Sequence, residues 1–193
     1  ELDLTNVAAF LAAAMIAGGS VTVPAWPASS TQPGAQFIQI AATMGAAATR
    51  SEGSMTLEAP GWHALQPIDV DLHEASELTP VVAAVASLAQ GPSRIRGVAH
   101  IRGHETDRLT ALEHELSGIG VTVRQTEDGL QIDGQGADSL HGGLFGCYAD
   151  HRMAHAGALL GLAVEGIELD DITCTSKTMP QFPQMWAELV KEG

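Results

Sequence analysis

The stretch VAAFLAAAMIAGG, Val7 to Gly19, followed directly by SVTV, Ser20 to Val23, decides the fold. Every position of the first stretch is apolar, so a helix here keeps no polar face for solvent, and its alanines let neighbours approach closely; it is predicted to be buried on all sides. The β-branched run behind it reads as a strand. The same pair recurs twice. ELTPVVAAVASLAQG, from Glu77, leads into SRIRGV, and DHRMAHAGALLGLAVEG, from Asp150, leads into IELDDI. The closing glycines Gly19, Gly91 and Gly166 stand 72 and 75 residues apart, a period that marks a structural repeat.

Second helices lie between these units, each followed by a pattern that reads as a hairpin: FIQIAATMG then AAATRSEGSMTLEA, and RLTALEHELSGIG then VTVRQTEDGLQIDG. Gly45 and Gly120 end these helices 75 residues apart. In the third unit SKTMPQFPQMWAELV has no hairpin behind it, so the unit of helix, strand, helix, strand, strand is written two and a half times. The missing strands are expected from elsewhere in a longer chain, as is the start at Glu1, which has no Met and meets an apolar helix almost at once. With helices inside and sheets outside, a layered α/β architecture follows. Leu109, Leu112 and Leu116 make an ordinary one-sided packing stripe, with Glu113 and His114 expected outward.

A length of 193 residues with 45% hydrophobic and 17% charged residues suits one ordinary core, and residues 1–193 are expected to form a single domain. Nine Lys and Arg against 23 Asp and Glu give a net charge of -14, which repels nucleic acid and anionic membranes as a whole. With no apolar run long enough for a membrane span and no signal-peptide pattern, a cytoplasmic location is expected. Cys147 and Cys174 lack CxxC spacing and are expected as buried free thiols.

Few bases remain for an anionic ligand, and three of them, Arg108, Arg152 and Lys177, fall in the first turn of predicted helices. Thr106, Asp150, and Thr175 or Ser176 are the expected N-caps. A cation there opposes the helix dipole by about 0.3–1 kcal/mol. A bound anion supplies the reason, since helix starts offer free N–H groups and Arg adds a planar fork. The alternative is a set of surface salt bridges, Glu105 and Asp107 with Arg108 and Arg102, and Asp150 with Arg152, each worth little. Glu105, three residues before Arg108, is expected on the same helix face and is a candidate for proton transfer. Glu77 reads from its position as an N-cap or first-turn acid. The pairs His100 with His104 and His151 with His155 have spacing four, but HExxH is absent and no metal is expected.

At RGHETDR (from Arg102), DHRMA (from Asp150) and CTSKTMP (from Cys174) the chain resembles the 5-enolpyruvylshikimate-3-phosphate synthase family, in this order and spacing and over essentially the whole sequence. The resemblance implies the enolpyruvyl transferase fold: two similar domains, each an inside-out α/β barrel of three repeated units with buried parallel helices. This chain would be most of one domain, lacking the N-terminal half of the enzyme. The implied reaction transfers the enolpyruvyl group of phosphoenolpyruvate to the 5-hydroxyl of shikimate 3-phosphate and releases phosphate, a step of the shikimate pathway that uses no cofactor. Carried over by position, Arg108 and Arg152 would hold the phosphoenolpyruvate carboxylate and Lys177 its phosphate side. Glu105 and Lys177 would transfer protons, while Glu77, His100 and His104 would face shikimate 3-phosphate, Glu77 as the candidate acceptor of the hydroxyl proton.

His104 stands where the family's familiar KETDR form has Lys, and His100 where it has Asn, so the charge at these positions depends on their surroundings. With half of the site elsewhere, the chain alone is expected to fold without turning over. The rival readings are UDP-N-acetylglucosamine enolpyruvyl transferase, which shares fold and donor, and a noncatalytic anion-binding module.

Overall fold

In the computed structural model, which describes residues 2–192, Asp3 starts the first helix, α1 (Leu4–Ala17). Its carboxylate accepts the N–H groups of Thr5 and Asn6 at 2.9 and 3.1 Å, two of the donors a helix start leaves unpaired. Gln32 accepts the N–H of Leu4 at 2.9 Å and so completes the start. Leu4 to Ile16 is buried without a break, as is all of α3 (Thr79–Leu88). In α5 (His151–Leu160) only Arg152 and Ala158 are partly open. The three largely apolar helices expected from the repeat therefore form the interior, packed against one another.

Contacts at both ends give their direction. The turn Pro33–Gln36 packs against the first turn of α1 and against the turn His73–Leu78 that precedes α3, and Glu77 of that second turn pairs with Arg152 at the start of α5. At the far end Ala17 and Gly18 share a groove with Leu162, just beyond α5. The helices thus run the same way, with their three N-termini on one rim. That rim carries the candidate site.

The sheets lie outside this helical layer. β1 (Gly19–Val23), β2 (Ala47–Ser51) and β3 (Ser54–Ala59) form an antiparallel sheet in the order β1-β3-β2. On β3, Met55, Leu57 and Ala59 point inward while their neighbours point out, the two-residue period of a half-buried strand. The second sheet has the order β4-β5-β7-β6, from β4 (Asp69–Asp71), β5 (Gln90–Arg96), β6 (Thr122–Gln125) and β7 (Leu130–Gln135). The third pairs β8 (Gly143–Phe145) with β9 (Ile167–Leu169). Both expected hairpins are present. Strands β4 and β8, which pair parallel to β5 and β9, are additions to the expected pattern, and at three residues each they are too short to show a period. No described helix is long and apolar enough to cross a membrane.

The remaining helices are α2 (Phe37–Thr43), α4 (Arg108–Gly118) and α6 (Phe182–Glu192), and several expectations around them are corrected. Lys177 is not in the first turn of a helix: it ends a tight 3-10 turn, Ile172–Lys177, capped by Asp171, whose carboxylate accepts the Thr173 N–H at 2.8 Å. Pro180 disfavours a helical residue before it, which delays α6 to Phe182. The cap of α4 is Asp107 rather than Thr106, and Glu105 lies in the preceding loop, not on the helix face. Glu113 is not simply outward either, since it accepts the Gln125 N–H at 2.8 Å. Cys147 is buried as expected, but Cys174 is only half-buried, its thiol donating to the Asp171 carbonyl at 3.1 Å.

Two outcomes follow from this packing. A Cβ on Gly34 would sit 2.4 Å from the Thr5 nitrogen, so Gly34→Ala must push the turn off α1 and is expected to cost about 1–3 kcal/mol, read as a lower urea midpoint. His155 is fully buried against the Phe182 ring at 4.4 Å, and burial pushes its pKa down to about 3. Below about pH 6.5 the unfolded chain takes a proton the folded one refuses, so stability falls with falling pH by up to about 1.4 kcal/mol per unit. Replacement by Leu is expected to remove that slope between pH 6 and 4 in stability measured against pH.

Candidate active site

The rim where the helices begin is made of charged residues in an apolar setting. Arg108 opens α4, and its guanidinium is 2% exposed. It donates from Nε and Nη2 to the two oxygens of Asp150, at 2.7 and 3.3 Å, and from Nη1 to Glu77 at 2.9 Å. Asp150 is wholly buried, and the same carboxylate accepts the Arg152 N–H at 2.9 Å, which caps α5. Burial alone would raise the Asp150 pKa, but the hydrogen bond and charge of Arg108 outweigh it and hold the carboxyl below its usual range. Both partners are therefore charged at neutral pH.

Glu77 lies between two arginines. One of its oxygens takes Arg108 and pairs with Nε of Arg152, and the other meets Nδ1 of His104 at 3.0 Å. Burial pushes its pKa up, but the charges of Arg152 and Arg108 bring it below the ordinary value, so Glu77 is ionised. Across the cleft Glu105 pairs with Lys177 and stands 3.5 Å from Nδ1 of His151. Arg108, Arg152, Glu77, Glu105 and His104 line one open cleft, together with His151, and Lys177 reaches it through Glu105.

The ion pairs differ from the expected surface set. Asp150 grips Arg108 in the interior, Arg152 goes to Glu77, and Glu105 goes to Lys177. Only Arg102 with Asp107, at 3.5 Å, matches that reading. Glu77 is not a helix cap; α3 has no side-chain cap, and the Glu77 carboxylate is taken up by the arginines. His100 is exposed and absent from the cleft lining, with its ring edge-on to His104 at 6.0 Å and to His73 at 5.5 Å.

His151 and the buried role of Asp150 were not foreseen. The sequence marks His151 only by its place between Asp150 and Arg152 and by its spacing of four from His155. Its ring nitrogens have no hydrogen-bond partner among the described residues, and burial lowers its pKa. Donor atoms of Glu105, Asp150 and His151 lie within 4.8 Å of one another, close enough for a metal ion. Yet both Asp150 oxygens are taken by Arg108, and three cations surround the cluster, a donor set that suits an anion better than a cation.

Known proteins share this sequence and this fold. The family model of EPSP synthase (3-phosphoshikimate 1-carboxyvinyltransferase) matches residues 1–186. The 3-phosphoshikimate 1-carboxyvinyltransferase of Kocuria rhizophila is 53% identical over 190 residues, which are 98% of this chain and 42% of that protein. The enzyme of the same name from Mycobacterium ulcerans is 48% identical, over 99% of this chain and 44% of its own length. Among solved structures, EPSP synthase from Acinetobacter baumannii superposes with a TM-score of 0.82 at 25% identity, covering 98% of this chain and 45% of that one. The enolpyruvyl transferase NikO from Streptomyces tendae shares the fold, with a TM-score of 0.73 at 18% identity over 97% of this chain and 42% of its own. The chain thus spans less than half the length of the relatives it matches. Because the matched segment takes in every residue of the cleft, the arginine-lined rim and the repeat lead to one conclusion: the chain belongs to the EPSP synthase family.

Proposed function

We propose that this chain forms most of one of the two domains of a cytoplasmic 3-phosphoshikimate 1-carboxyvinyltransferase, and that its cleft binds phosphoenolpyruvate beside shikimate 3-phosphate. The observation that carries this reading is the convergence of Arg108, from the second repeat unit, with Arg152 and Lys177, from the third, and of Glu77 and Glu105 between them. The incomplete repeat supports the domain assignment. Among the described residues, β1 lacks the parallel neighbour that β4 and β8 give to β5 and β9, and β9 lacks an antiparallel hairpin, so the rest of the protein has places to fill.

In the reaction the methylene carbon of phosphoenolpyruvate gains a proton and the 5-hydroxyl oxygen of the acceptor bonds to its C2 as the hydroxyl proton leaves. The tetrahedral adduct then expels phosphate as a proton leaves the new methyl group. The arginine forks would hold the donor carboxylate in planar register. For this Glu77 has to yield its place between Arg108 and Arg152, and once away from their charge its affinity for a proton rises. It then suits the hydroxyl proton of the acceptor. Glu105 and Lys177, already in contact, would carry the protons to and from the methylene carbon, and Lys177 would neutralise the leaving phosphate. His104, on Glu77, would donate to the acceptor, with His100 behind it and outside the cleft lining. Closure against the other domain would exclude water and bring the remaining groups. No cofactor and no nucleic acid enter this reading.

The test is phosphate release by the full-length protein given phosphoenolpyruvate with shikimate 3-phosphate, or with UDP-N-acetylglucosamine. Release with the shikimate acceptor alone is expected. Release with the sugar nucleotide moves the assignment to the sister enzyme, and none with either leaves an anion-binding module. Glu105→Gln is expected to slow turnover by about 100-fold or more while calorimetric binding of phosphoenolpyruvate persists. Residues 1–193 alone are expected to release no phosphate.

A further inference from the structure

Outside the ionic cluster, the segment leading into α5 has an unusual backbone. Tyr148 and Ala149 have φ of 55° and 54°, and the Asp150 N–H donates to the Cys147 carbonyl at 2.8 Å, the pattern of a turn with both central residues left-handed. Such turns favour Asn and Gly, because a Cβ crowds the backbone there. Here Tyr and Ala hold it, immediately before the residues that form the anion cradle.

The turn is pinned from α4. Arg108 and Glu115 are seven residues apart, two helical turns, so they face the same side. Arg108 grips Asp150 beyond the turn, and Glu115 grips the segment before it, accepting the Gly146 N–H at 2.8 Å and the Tyr148 hydroxyl at 2.6 Å. Gly146 is needed for this approach, since a Cβ would lie 3.0 Å from the Glu115 carboxylate and 3.1 Å from the Tyr148 ring. Asp170 accepts the Cys147 N–H at 2.7 Å and fixes the other side. Glu115 is buried, while Tyr148 is 41% exposed yet its hydroxyl reaches the Glu115 carboxylate. Burial and Glu115 push the Tyr148 pKa up to about 12, so the hydroxyl keeps its proton and donates.

We propose that Glu115 and Tyr148 are positioning residues for the anion site: their contact holds the left-handed turn that sets where Asp150 and Arg152 stand. This rests on the reading of Arg108 and Arg152 as the cradle of the donor carboxylate. Tyr148→Phe removes one oxygen from a partly exposed ring and frees the turn to relax. Ala149→Gly removes the Cβ that makes the turn costly, so in the double variant the backbone keeps its shape without the hydroxyl.

In the full-length enzyme Tyr148→Phe is expected to raise KM for phosphoenolpyruvate about tenfold with kcat within about twofold, because a carboxylate grip shared by ground and transition states affects binding alone. Adding Ala149→Gly is expected to restore KM to within about twofold of the parent, and Ala149→Gly alone to leave it unchanged. An unchanged KM in Tyr148→Phe, with or without a lower Tm, overturns the proposal, and so does a raised KM that Ala149→Gly fails to restore. Absence of turnover in the unaltered protein counts against the reaction instead. The dissociation constant for phosphoenolpyruvate, measured by calorimetry on the same proteins, then decides: weakening with rescue supports the proposal, and equal affinities or none overturn it.

Discussion

The rim depends on one buried ion pair. Arg108 and Asp150 meet through two parallel hydrogen bonds where neither has water to solvate it. Removing either partner of such a pair strands a charge and costs about 3–5 kcal/mol, whereas the intact pair contributes much less to net stability. Its value is geometric. Through it the start of α4 is fixed to the start of α5, the Arg152 N–H is capped, and the remaining nitrogen of Arg108 is left free to face Glu77. The Glu77, His104 and Arg152 contacts are built out from that fixed point.

The helical interior explains why such a pair can be placed so closely. α1, α3 and α5 meet through Ala, Gly and β-branched residues, and a bundle of small side chains brings backbones near one another without large voids. Three aligned helix starts then point their positive dipole ends at the same rim. The acids Asp150 and Glu77 offset that accumulation. They are as much part of the helix termini as of the ligand site.

The architecture was largely legible because it is written in repeats. Apolar runs closed by glycines at Gly19, Gly91 and Gly166 identify the buried helices, and the TRSEGSM and RQTEDGL patterns identify the hairpins. A three-residue strand shows no period of its own: β9 was marked by its place in the repeat, whereas β4 and β8, outside that pattern, were not foreseen. Arg108 and Arg152 were visible as bases at helix starts, but their partners were not. Sequence neighbours suggested Asp150 with Arg152 and Glu105 with Arg108, whereas the fold pairs residues 42 and 72 positions apart. Glu115 was hidden for a similar reason: beside a leucine stripe it resembles any helical acid until the Gly146 segment is brought against it.

The seat of Glu77 between the two arginines has a consequence for how a ligand arrives. Around the cleft Arg108, Arg152 and Lys177 are matched by Asp150, Glu77 and Glu105, so the positive charges are already neutralised by the protein's own carboxylates. An incoming anion therefore meets no long-range attraction from this face, and the chain as a whole, at -14, repels it. Capture becomes a short-range exchange of one counter-ion for another, which favours ligands carrying two or more negative charges over chloride or a simple carboxylate. Dissolved salt, by screening the acidic surface, eases the approach of such a ligand instead of hindering it.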